Sequence, residues 1–78
     1  MPAGTRVRAL DLEQKLESLD IDEGIRIQSG RRKMFVNRRA SGDFVVQLGG
    51  DSFRYLSTAG QVAKLVSATF RTYDAWAY

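Results

Sequence analysis

Hydrophobic positions change their period twice along this chain. Leu12, Leu16 and Leu19 stand at i, i+4 and i+7, one apolar stripe that predicts an amphipathic helix over 11–20. Asp11, with Gln14 three residues on, has the spacing of a capping box, and Asp22-Glu23-Gly24 closes the segment. From residue 25 the pattern alternates. Ile25 and Ile27, Met34 and Val36, Phe44, Val46 and Leu48, then Phe53 and Tyr55 are separated by Ser29-Gly30, Ala40-Ser41-Gly42-Asp43 and Gly49-Gly50-Asp51. Turn residues thus recur about every ten positions, the signature of an antiparallel meander. The helical period returns with Val62, Leu65, Val66, Phe70 and Tyr73, after a second capping-box pair, Thr58 and Gln61.

This order predicts an α+β fold: a two-layer sandwich of helix, three- or four-stranded antiparallel meander, and helix. Each helix has one apolar stripe, so both should pack on one sheet face. The expected core is Leu12, Leu16, Leu19, Ile25, Ile27, Met34, Val36, Phe44, Val46, Leu48, Phe53, Tyr55, Val62, Leu65, Val66 and Phe70. Residues 1–10 read as a flexible basic arm, 11–73 as the single domain and 74–78 as an aromatic tail. In that tail, Trp76 either folds back as a lid on the core or serves with Tyr78 as an interface anchor.

Period-two alternation also names what points away from the core. On this reading the open face carries Arg26, Gln28, Lys33, Phe35, Asn37, Arg39, Val45, Gln47, Arg54 and Leu56, with no acid among them. Arg26, Lys33, Phe35, Asn37, Arg39 and Arg54 are the candidate binding residues. Cations can meet phosphates while an aromatic ring stacks on a base or fills a partner's pocket. The plain alternative is a solvated antiparallel face, where long cationic side chains are ordinary. Arg31 and Arg32 form a basic turn suited to phosphate or acidic-partner contact, or simply to a solvated hairpin tip.

Composition removes most catalytic chemistry. The 78 residues include no His and no Cys, so imidazole bases, thiol nucleophiles and the usual zinc ligands are missing. The Asp20–Gly24 run resembles the start of a calcium loop. The twelfth position from Asp20 is Arg31, though, where a bidentate Glu is required. No phosphate-loop or dinucleotide motif surrounds Gly49-Gly50. No catalytic residue, metal or cofactor is expected, and the chain is read as a non-enzyme. No apolar run reaches membrane-spanning length and residues 1–6 lack a signal-peptide core, so a cytoplasmic protein away from membranes is expected.

Charge is arranged in blocks. Residues 11–24 carry a net −5 and residues 25–39 a net +6, within a total of +3. Opposite patches of this kind orient and accelerate protein encounter. The favoured expectation is therefore a small protein-binding module, such as an inhibitor or adaptor of the anti-defence or anti-CRISPR type that phages and mobile elements encode. Glu13 and Glu17 would offer it a second, acidic partner surface. The alternative is a nucleic-acid binder using the basic face of 25–39, with the acidic block counting against it. A homodimer is the further arrangement that would relieve a small core.

Overall fold

The computed structural model describes residues 5–49 and 52–78. Strand β1 (Thr5–Val7) leads through a 3₁₀ turn (Ala9–Asp11) into helix α1 (Leu12–Glu17). A four-strand meander follows: β2 (Gly24–Ser29), β3 (Arg32–Arg38), β4 (Phe44–Gln47) and β5 (Phe53–Leu56). Helix α2 (Ala59–Thr69) and strand β6 (Asp74–Ala77) complete the chain. All pairings are antiparallel, and the six-stranded sheet has the order β1-β6-β2-β3-β4-β5.

The meander and both helices match the expected α+β class, and the strand count does not. Residues 5–7 of the supposed arm and 74–77 of the supposed tail are sheet strands, β6 lying between β1 and β2. Residues 1–4 lie outside the described residues, as does Gly50 of the expected Gly49-Gly50 turn. Gly49 itself has φ 95°, and Gly30 and Gly42 also sit at positive φ at the other two turns, where glycine adopts the angle without a side-chain clash.

Both helices contribute to one core, with Leu12, Leu16 and Leu19 from the first segment and Val62, Val66 and Phe70 from the second. They cover Ile25, Ile27, Met34, Val36, Phe44 and Val46 on a single face of the sheet. Val7, Ala59, Ala75 and Ala77 join them. Tyr73 packs against the edge of this cluster, and partial burial raises the pKa of its phenol above the ordinary value.

The two helices are held differently. At α2 the capping box is complete: the Gln61 amide donates to Thr58 Oγ1 at 3.1 Å, and Gln61 Oε1 accepts from the Ser57 and Thr58 amides. At α1 the expected box is absent. The Asp11 side chain caps nothing, because the 3₁₀ turn already occupies that position and its carboxylate accepts from Arg8 Nε at 3.0 Å. With only six residues, α1 is anchored from below. Arg38 projects to the helix side, stacks over the Phe44 ring at 4.7 Å and donates to the carbonyls of Leu16 and Glu17 at 3.3 and 3.4 Å. Those carbonyls belong to the helix's last turn, where that of Leu16 also accepts from the Leu19 amide.

Two outcomes follow. Deleting residues 74–78 should abolish cooperative thermal unfolding by circular dichroism, since it removes an interior strand; a detachable tail would leave the melting transition in place. Gly24→Ala should destabilise by about 1–3 kcal/mol in urea titration, because a Cβ there meets the Asn37 side chain and lies 2.6 Å from the Val36 carbonyl oxygen.

Candidate functional site

In an antiparallel pair, directly opposed residues share a face. The registers therefore assemble the open side of the sheet strand by strand. One row runs Arg6 (β1), Trp76 (β6), Arg26 (β2), Phe35 (β3), Gln47 (β4) and Phe53 (β5). A second runs from Tyr78, hydrogen-bonded through its backbone to Gly24, to Asn37, Val45 and Tyr55. Asp74, Gln28 and Lys33 make a shorter third row. At the ordinary strand spacing of about 4.8 Å, Trp76 and Phe53 are about 19 Å apart.

Five of the chain's eight aromatic residues lie on this face: Phe35, Phe53, Tyr55, Trp76 and Tyr78. The lone tryptophan does not cover the core. The Arg26 guanidinium lies 4.8 Å from the centroid of its ring, and Arg39 lies 4.7 Å from that of Tyr55. Such stacking fixes guanidinium planes parallel to the surface and leaves their edges for hydrogen bonds. Arg26 Nε is buried and has no hydrogen-bond partner.

Among the described residues the face carries four cations, Arg6, Arg26, Lys33 and Arg39, and one carboxylate, Asp74. Asp74 pairs with Arg6, and Arg39 pairs with Asp43 of the β3–β4 turn at 3.3 Å. The Tyr78 hydroxyl reaches Asn37 Oδ1 at 3.5 Å, and the Gln28 amide reaches the Gly30 carbonyl at 3.4 Å.

Most of the expected binding face is thus brought together: Arg26, Lys33, Phe35, Asn37 and Arg39 share it. Arg54 does not. It pairs with Val46, a fully buried core residue, so Arg54 and Leu56 point to the helix side, while Phe53 and Tyr55 point outward. Phe53 is 55% exposed and Tyr55 62%, which corrects their assignment to the core. Their aromatic character suggested burial, and the β4–β5 connection sets the opposite parity; a shift of one residue turns every side chain of a strand over. Trp76, Tyr78 and Arg6 were not expected on the face, because Ala75 and Ala77 are too small to signal a strand.

Arg31 and Arg32 lie at the β2–β3 hairpin, with Arg32 stacked 5.0 Å from the centroid of the Phe70 ring. Glu13 and Glu17 are exposed on α1, in the helix layer and away from the open face. Among the described residues no group of His, Cys, Asp or Glu could hold a metal ion, and no helix is long and apolar enough to cross a membrane.

Comparison with protein-family models, curated proteins and solved structures gives no match for this chain. The site is described by its own geometry.

One substitution made on both faces tests the register. Phe53→Ala should change unfolding free energy by no more than about 0.5 kcal/mol. Phe44→Ala, deleting a ring that is 2% exposed, should cost about 3–5 kcal/mol in the same denaturant titration.

Proposed function

We propose that this chain is a non-catalytic binding module whose ligand lies across the open sheet face, and that the ligand is single-stranded nucleic acid. The observation that carries the reading is the row Trp76, Arg26, Phe35, Gln47, Phe53, in which three rings alternate with a stacked guanidinium and an amide across five strands. Aromatic rings accept any base by stacking, at about 1–3 kcal/mol per base. Arginine between them serves twice, as a stacking plane and as a partner for phosphate oxygens. The terminal nitrogens of Arg26, which have no hydrogen bond among the described residues, are the donors an anionic oxygen would meet.

The acidic block, which counted against nucleic acid in the sequence, weighs less here, and the open face is larger than the sequence suggested. Glu13 and Glu17 of the acidic block belong to the helix layer, so they do not repel a polyanion on the opposite face. Phe53 and Tyr55, counted as core in the sequence, enlarge the stacking surface. A protein ligand on the same face is the second reading, favoured because Trp76, Tyr55, Tyr78 and Arg26 are of the types that dominate interface hot spots.

Trp76 is the only tryptophan, so its emission reports directly on the face. Mixed-sequence single-stranded DNA or RNA oligomers should quench that emission with micromolar or tighter affinity at physiological salt. Phe35→Ala should weaken binding by about 1–3 kcal/mol. Arg26→Gln should lower the slope of log affinity against log salt by about 0.7, the value for one lost phosphate contact on a single strand. Absence of binding even at low salt would exclude nucleic acid and leave the protein reading.

A further inference from the structure

The helix side of the sheet holds a second basic feature, separate from the open face. A groove of about 450 Å³ lies between the C-terminal half of α2 and the sheet end formed by β3, the end of β4 and the start of β5. Met34, Leu48, Leu65 and Phe70 give it an apolar lining, and Arg31, Arg32 and Arg54 surround it, with Lys33 at its margin and directed by its register to the open face. No carboxylate occurs among its described lining residues. A volume of this size suits a small organic molecule.

Arg54 is exposed on the edge strand β5, at the mouth of this groove. Its register position opposite Val46 faces the helix layer, where Phe44 and Val46 on the neighbouring strand are buried and apolar. Arg38, also on the helix side, bonds the carbonyls of α1; Arg54 has no hydrogen bond or ion pair among the described residues. Arg31 is likewise without one, whereas Arg32 is occupied by its stack on Phe70. Among the described residues, cations from two separate chain segments therefore converge over an apolar floor without a counter-charge. A ligand that complements both features has an apolar body and an anionic end.

We infer that this groove binds a small amphipathic anion, a phosphate or carboxylate carried on an aromatic or short aliphatic body. The body lies over the partly exposed Leu48 and Leu65, and the anionic group lies between Arg54 and Arg31. Guanidinium groups match such oxygens with paired donors. The site does not depend on the open face or on its ligand.

The test is an amide-resolved NMR titration of the full chain with 1-naphthyl phosphate, inorganic phosphate and 1-naphthylmethylammonium. The naphthyl phosphate should saturate in the micromolar range and shift Met34, Leu48, Leu65 and Thr69. Inorganic phosphate should bind at least about tenfold more weakly, and the ammonium compound should leave these signals in place. Arg54→Glu and, independently, Arg31→Glu should each weaken the naphthyl phosphate by about tenfold or more. Lys64→Glu makes the same charge change on an exposed α2 residue outside the groove lining and should leave affinity unchanged. Equal weakening by all three variants would reduce the effect to net charge and overturn the site. So would equal binding of the ammonium compound, shifts confined to the open face, or failure to saturate in the millimolar range.

Discussion

The insertion of Asp74–Ala77 between Thr5–Val7 and Gly24–Ser29 is the pairing on which the rest of this structure depends. It joins the two ends of the chain inside one sheet, and its register decides what each face carries. Ala75 and Ala77 turn inward beside Ile27 and Ile25, and Val7 covers the same end of the core. The intervening Trp76 is thereby turned outward, between Arg6 and Arg26. Neither helix could supply this arrangement: α1 has six residues, and Arg38 from the sheet adds hydrogen bonds to the Leu16 and Glu17 carbonyls of its last turn. In a domain this small the sheet organises the helices, and the helices cover one of its faces.

Legibility in the sequence followed the strength of each local signal. The meander was readable because its turns carry Gly30, Gly42 and Gly49 at positive φ, flanked by alternating Ile, Val and Phe. Helix α2 was readable because Thr58 and Gln61 close a complete capping box ahead of an apolar stripe. The flanking strands were not. Thr5-Arg6-Val7 is too short to show a period, and in Asp74-Ala75-Trp76-Ala77 the large apolar residue faces out while the small ones face in, the reverse of what hydrophobicity suggests. Phe53 and Tyr55 misled for a related reason. Alternation defines two faces of a strand without saying which is covered, and that choice was made by the connection from β4. The candidate face was therefore legible in its centre, at Arg26, Lys33, Phe35, Asn37 and Arg39, and hidden at both margins.

The residues that defeated the pattern are the ones that define the surface. A sheet covered on one side needs polar groups on the other only for solubility, and this one instead presents five aromatic side chains with arginines stacked on two of them. Local rules are most often broken where a protein binds something, because a ligand supplies the compensation that folding does not. The acidic and basic blocks of the sequence also acquire a spatial meaning. Glu13 and Glu17 belong to the helix layer, while Arg26, Lys33 and Arg39 belong to the open face.

The central claim is that the ligand lies along the row from Trp76 to Phe53. Its most direct test is to map amide and indole NMR shifts while titrating a short single-stranded oligonucleotide into the isotope-labelled chain. The account predicts a continuous band of shifts across Trp76, Arg26, Phe35, Gln47 and Phe53, including the Trp76 indole N–H, with α1 and α2 unaffected. Shifts confined to the Arg31–Lys33 turn or to the helices, with the Trp76 indole signal unmoved, would contradict it.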